Sequence, residues 1–268
     1  MAGPAAMRNI VLRFDMRSAP VCPDDTASRY RAAVDMAAWA DRNEVDVVGL
    51  SEHHVTGDGF LSSPLPLAAA MAACTQRIRI SVSALLVPLH DPLRLAEDIC
   101  LLDLVSGGRF SATCGLGYRE VEYARFGVDW SRRGQVFDEK LALLVRALSG
   151  EPFDYHGDSI RLNPLPQSPV QALLTVGGNS RAAARRAARF GLFFCPAIDD
   201  PDLDTTYLEA CAEHGIDYGF TIFPREPATT FISEDPATSW REIWAPPQSA
   251  SRRLSRWDRR TGSTGMPW

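Results

Sequence analysis

The chain has 268 residues, 46% hydrophobic and 23% charged, a balance that suits a folded globular protein and argues against disorder over its length. Lys and Arg number 28 against 33 Asp and Glu, and the net charge of -5 gives no global electrostatic footprint for nucleic acid. No stretch approaches the roughly 20 uninterrupted apolar residues of a membrane span, and residues 1–10 hold no apolar run of signal-peptide length.

From residue 7 to about 223, short β-type runs alternate with longer helical ones. Residues 10–14 read as a first strand, and Asp24, Asp25 and Thr26 offer caps for a helix with Tyr30, Val34, Ala37 and Ala38 on its apolar face. Residues 45–50 form a second strand and 65–74 a second helix. The third unit is the clearest: 78–87 is β-branched and apolar, Asp91 caps a helix with Pro92 at its first position, Leu95, Ile99 and Leu102 mark the buried stripe, and Gly107 and Gly108 end it. Strand four is 109–114, followed by a helix with Phe137, Leu141, Leu144 and Leu148 on one face and a stop at Gly150. In the Pro-rich stretch 151–169, residues 153–155 pair with 159–161 across His156, Gly157 and Asp158 as a small hairpin. Strand five is 172–176, with a helix from Asn179 and Ser180 to Gly191; strand six is 192–195, with a helix at 202–214.

Repeated β-then-α units with apolar strands imply a parallel sheet covered by helices, an α/β fold of the TIM-type (β/α)8 barrel kind. The dinucleotide fingerprint is absent: Gly115 and Gly117 are followed by Glu120 where a third glycine belongs, and they arrive only at strand four. Residues 220–223 and 229–232 are strand-like and 236–244 helical, but no eighth strand and helix are visible. The domain therefore spans 7–245, and the Arg-, Ser- and Trp-rich tail 246–268 is expected to stay disordered.

In such a barrel the catalytic face lies at the C-terminal ends of the strands. The polar clusters fall there: Ser51, Glu52, His53 and His54 after strand two, His90 and Asp91 after strand three, Gly115 to Glu120 after strand four, and Gly177, Gly178, Asn179 and Ser180 after strand five. Four such loops converging on one pocket point to a small-molecule substrate. Gly177 and Gly178 let backbone approach a ligand, and the following helix N-terminus suits a phosphate, with Arg181 and Arg185 adding charge; a plain tight turn is the competing reading. His53 and His54 are adjacent and point to opposite sides, so one is expected to serve the pocket as proton donor or anchor while the other packs or caps. Glu52 is expected to bond a neighbouring backbone or hold an imidazole, and His90 to fix a turn or touch a ligand. Tyr118 and Glu120 are placed at the pocket mouth. No His/Cys/Asp grouping has metal-ligand spacing, and no nucleophile elbow, phosphate-loop lysine or zinc-protease motif is present. The six cysteines, Cys22, Cys74, Cys100, Cys114, Cys195 and Cys211, lack any Cys-x-x-Cys pair and several sit in apolar segments, which fits a reducing cytoplasm.

The ordered set 51–54, 86–97 and 106–110, then Gly115 to Tyr118 with Glu122, 126–129, Arg133 and Gly134, 150–153, and 177–180 with 185–188, resembles the bacterial-luciferase-like flavin oxidoreductases. The resemblance runs from about Asn9 to Asp235. It implies a TIM barrel that binds reduced FMN, or in some branches the deazaflavin F420, for oxygen insertion or hydride transfer. By the same resemblance, His53 or His54 is the pocket histidine, with His54 preferred; Ser83 and Ala84 form a non-proline cis peptide under the flavin ring; Gly115 and Tyr118 line the cofactor; and Gly177, Gly178, Asn179 and Ser180 hold its phosphate. Leu116 stands where luciferase carries a phosphate-binding arginine, and the similarity fades after Trp240. The expected function is an FMN-dependent monooxygenase supplied by a separate flavin reductase, with F420-dependent hydride transfer and a non-catalytic flavin binder as alternatives. A homodimer is expected from the resemblance alone.

Overall fold

The computed structural model describes residues 10–17 and 25–222. In chain order its elements are β1 (Val11–Phe14), α1 (Thr26–Arg42), β2 (Val47–Leu50), α2 (Pro64–Ala73), β3 (Arg79–Leu85), α3 (Pro92–Ser106), β4 (Phe110–Cys114), α4 (Glu120–Arg125), α5 (Arg133–Leu148), β5 (Phe153–Tyr155), β6 (Asp158–Ile160), α6 (Val170–Leu173), β7 (Leu174–Gly177), α7 (Arg181–Arg189), β8 (Phe193–Cys195) and α8 (Pro201–Glu213). Six strands make one sheet in the order β1-β2-β3-β4-β7-β8, every neighbouring pair parallel. Setting the β5–β6 hairpin aside, sheet order equals chain order, the arrangement of a TIM-type α/β fold. A parallel bridge from Phe194 to Thr221 falls in the strand expected at 220–223. The elements expected at 229–232 and 236–244, and the tail 246–268, lie outside the described residues.

Local chemistry explains the helix ends. The Asp25 carboxylate accepts from the Ala27 amide at 3.1 Å and starts α1. Asp91 accepts from the Arg94 amide at 2.9 Å with Pro92 at the first position, and Gly107 closes α3 at φ 65°. Phe137, Leu141 and Leu144 on α5 are fully buried and Leu148 nearly so. Each such side chain contributes on the order of 1.5–3 kcal/mol by leaving water.

Three expectations shift. On α1 the buried positions are Ala33, Ala37 and Ala40, while Tyr30, Val34 and Ala38 lie at the margin, so the small residues let the helix sit close to the sheet. The hairpin turns on His156 and Gly157 alone, both at positive φ, and Asp158 belongs to the strand; a two-residue turn of that shape matches strand twist. Strand five begins two residues late because residues 170–173 form one helical turn capped by Pro169.

The sheet has two distinct faces. Val48, Ile80, Val82, Phe110, Val176 and Phe194 pack against the helices and are essentially unexposed. The alternate positions carry Arg13, Gly49, Ser81, Ser83, Ser111, Thr113, Thr175 and Cys195 in matching register. This second face corresponds to a barrel interior, and it is polar.

Candidate functional site

Two carboxylates organise the strand ends. Glu52, just beyond β2, is 2% exposed, and its Oε2 accepts from the Leu86 amide at 2.6 Å. Its Oε1 lies 2.8 Å from His54 Nε2 and 2.7 Å from His90 Nε2. Burial pushes this carboxyl up, but the His54 and His90 hydrogen bonds and the Leu86 amide outweigh it and hold the group at about 2. Glu52 is therefore ionised at neutral pH and only accepts, so both imidazoles donate through Nε2–H. His54 Nδ1 is left without a hydrogen-bond partner among the described residues.

Glu122, on the first turn of α4, is fully buried. Its Oε1 lies 3.1 Å from His53 Nδ1 and accepts from the His54 amide at 2.8 Å and from Arg119 Nη1 at 2.8 Å. Burial raises this carboxyl too, and His53, the His54 amide and Arg119 reverse the effect, so it also sits below the ordinary value. Arg119 Nη1 reaches the His54 carbonyl as well, at 2.8 Å. With Nδ1–H of His53 given to Glu122, Nε2 accepts from the Tyr118 hydroxyl at 3.1 Å. The His53 ring meets Phe60 edge-on at 4.7 Å, and the His54 ring lies 4.5 Å from Phe126. Neither imidazole is loosely held, and both side chains are about a tenth exposed.

The two adjacent imidazoles thus meet different buried acids, Glu122 for His53 and Glu52 for His54. One histidine was expected to serve the pocket and the other to pack or cap; in the structure each ring is held by a buried acid and also packs against an aromatic ring. His90 is tied to Glu52, and Lys140 of α5 fixes its loop by donating to the Pro88 and His90 carbonyls, both at 2.7 Å. Glu52 fills both roles considered for it, backbone acceptor and imidazole holder. Glu120 is exposed at the start of α4, away from these bonds.

Ser83 and Ala84 are joined by a cis peptide at the end of β3. The Ser83 carbonyl accepts from Arg13 Nη2 at 3.2 Å. A Cβ at Gly115 would fall 2.6 Å from the Ala84 Cβ, so only glycine lets β4 pass this segment. Gly177 and Gly178 are equally committed: a Cβ would stand 2.8 Å from Thr113 Cγ2 and 2.8 Å from Ala183 Cβ, and Gly178 has φ 139°. Ser180 caps α7 by accepting from the Ala183 amide at 3.2 Å. Asn179 Oδ1 accepts from the Ala197 amide at 2.7 Å, which braces the loop after β8. Arg181 leans toward Asp202 at 3.8 Å, and Arg185 is exposed.

Hydrogen bonds join the loops after β2, β3 and β4, while the Gly177 to Ser180 loop adjoins them through the β4–β7 pairing and is not bonded to the histidines. Arg119, the sharing of Glu52 between His54 and His90, and Arg13 were not singled out from sequence. Arg119 stands three residues before Glu122, a helical spacing that pairs charges, and this was the available signal. Among the described residues no three His, Cys, Asp or Glu side chains form a metal-holding group, and no helix is long and apolar enough to cross a membrane. The five described cysteines are free thiols.

Comparison with known proteins agrees with this architecture. The chain is 29% identical over 215 residues to 4-hydroxyprotoasukamycin monooxygenase of Streptomyces nodosus subsp. asukaensis, covering 73% of this chain and 57% of that one. The chain spans about half the length of the curated relatives it matches. The monooxygenase RslO1 of Streptomyces bottropensis superposes with TM-score 0.72 at 20% identity, over 94% of this chain and 82% of that chain. The oxygenating constituent of 3,6-diketocamphane monooxygenase from Pseudomonas putida, solved with FMN, gives TM-score 0.70 at 21% identity, over 95% and 76%. These structural likenesses speak for the fold. Residues 15–259 match the family model of luciferase-like monooxygenases, and the chain belongs to that family.

Proposed function

We propose that the chain is the oxygenating component of an FMN-dependent monooxygenase acting on a small organic substrate, with reduced flavin supplied by a separate reductase. The observation that carries this reading is the pair of buried carboxylate–imidazole dyads at the strand ends, beside the close-packed glycine backbone that ends β4 and β7. Gly115 packs directly against Ala84 at the cis peptide, and Gly177 and Gly178 lead into the capped N-terminus of α7, whose first-turn amides favour a phosphate. Ser83, Ala84, Gly115 and Tyr118 would hold the ring, and Gly177, Gly178, Asn179 and Ser180 the phosphate end.

Reduced FMN, when bound, supplies the two electrons with which dioxygen is activated for insertion into the substrate. The chain supplies the proton chemistry. His54, its Nε2–H fixed on Glu52, takes or returns a proton at Nδ1. His53 forms a second line, in which Glu122 holds Nδ1–H and Nε2 faces the Tyr118 hydroxyl at the exposed rim. The buried acids keep both rings in one tautomer, and the aromatic rings of Phe60 and Phe126 pack against them.

The test compares His54→Ala with His53→Ala in FMN affinity and in turnover by reduced flavin with oxygen. Loss of a positioned acid–base group lowers turnover by about 10²–10⁴-fold. His54→Ala should show that loss with little change in flavin affinity. An effect confined to affinity would contradict its assignment, and a larger turnover loss in His53→Ala would transfer the role to the Tyr118 line.

A further inference from the structure

The interior of a βα barrel is ordinarily filled by branched apolar side chains. Here the corresponding face of the sheet carries Ser81, Ser83, Ser111, Thr113, Thr175 and Cys195 at its inward positions, with Arg13 on β1 and Arg79 on β3. The remaining described strand positions of that face are Val11, Val47, Gly49, Gly177 and Phe193, so none of them is acidic.

Arg13 is placed and incompletely used. Its Nη2 donates to Ser51 Oγ and to the Ser83 carbonyl, both at 3.2 Å, which sets the guanidinium at the functional end of the face. Its Nε and Nη1 have no partner among the described residues. Gly49 stands beside it in the register, and a Cβ there would lie 3.2 Å from Arg13 Cγ, so the glycine keeps the path of the stem open. The charge also reaches across the sheet: burial pushes the Cys195 thiol up, and Thr113 and Arg13 oppose the rise. The guanidinium is exposed, with donors to spare beside the Ser51 hydroxyl, and no described strand position of its face carries a carboxylate, so an anionic ligand can reach it without displacing a protein partner.

We infer that Arg13 is the recognition point for an electron-rich oxygen edge of a bound small molecule, so that the ligand of this face is a carboxylate, phenolate or enolate. The planar fork of Arg suits such an edge, and Ser51 and the Ser83 carbonyl fix its orientation. The inference rests on the proposed reading of the site only in taking this face as part of the ligand pocket. Two molecules could present that chemistry, the substrate or the anionic pyrimidine edge of reduced flavin, and they are separable.

The experiment titrates the full chain with benzoate and with neutral, isosteric benzamide in the absence of flavin, and separately with oxidised and reduced FMN, in wild type, Arg13→Gln and Arg13→Lys. A charge-assisted contact predicts a preference of about tenfold or more for the anionic partner. Benzoate preferred over benzamide in wild type, with the preference lost in Arg13→Gln and partly kept in Arg13→Lys, supports a substrate oxyanion. Weakened binding of reduced FMN alone in the variants supports the flavin edge. Equal benzoate and benzamide affinity together with unchanged FMN affinities would overturn the inference and leave Arg13 a solvated side chain. Should Arg13→Gln not fold, the wild-type comparison and Arg13→Lys still decide. Wild-type failure to bind FMN alongside a benzoate preference would reject the flavin reading and keep the Arg13 one.

Discussion

Replacing Glu52 by Gln removes one charge at constant shape from a position where every lone pair in use faces a donor. Oε1 receives two imidazole N–H groups and Oε2 the Leu86 amide, so a glutamine amide must turn its NH₂ toward one of them. A protonated Glu52 would have the same problem, which makes the glutamine a mimic of the acid form. The carboxyl sits at about 2 instead of the ordinary 4.5. At 1.36 kcal/mol per pH unit, that gap corresponds to about 3 kcal/mol favouring the ionised fold. A folded-state value below the unfolded one means stability that is complete above about pH 4.5 and lost as pH falls toward 2. Urea unfolding of wild type and E52Q across pH 7 to pH 3 should therefore show a stability difference of about 3 kcal/mol at pH 7, shrinking to about 1 kcal/mol at pH 3. Taking the difference between the two proteins cancels carboxylates remote from Glu52 and leaves the coupled cluster of Glu52, His54 and His90. A difference that stays constant with pH, or one below about 0.5 kcal/mol throughout, would refute the shared-carboxylate reasoning.

Other perturbations probe separate links. Gly178→Ala, at φ 139° and with its new Cβ 2.8 Å from the Ala183 Cβ, should cost about 1–3 kcal/mol in chemical denaturation and weaken FMN binding together with it. Ser180→Ala removes the α7 cap and should cost about 1 kcal/mol, read as a lowered melting temperature. Leu141→Ala, in the unexposed stripe of α5, should cost about 2–5 kcal/mol while leaving the ratio of FMN to F420 affinity unchanged. Tyr118→Phe deletes only the hydroxyl on His53 Nε2; it should lower turnover and spare folding, and unchanged turnover would remove Tyr118 from the proton path.

The six main strands and the long helices were legible because their signals are local: β-branched runs, Asp91 followed by Pro92, Gly107 at a helix end. The α4 turn was not, since six residues carry too little periodicity to separate from loop. The sequence placed the polar loops at the strand ends, and the three after β2, β3 and β4 do meet. What it could not show was pairing across distance. Glu52 and His90 are 38 positions apart and His53 and Glu122 are 69 apart, and nothing local says which acid reaches which ring. Arg13 is not legible from sequence for a related reason. In a strand it reads as an ordinary polar alternation, and its place on a face without acidic side chains among the described strand positions emerges only once the register of its neighbours is known.

The most direct test of the central claim is titration of the purified chain with FMN and with F420, followed by fluorescence and thermal melting. The account predicts saturable binding of FMN, a melting temperature raised by it, and weaker binding in Gly178→Ala. Preferential binding of F420 would replace the oxygenase reading with hydride transfer. A chain that melts cooperatively yet binds neither cofactor would contradict the account.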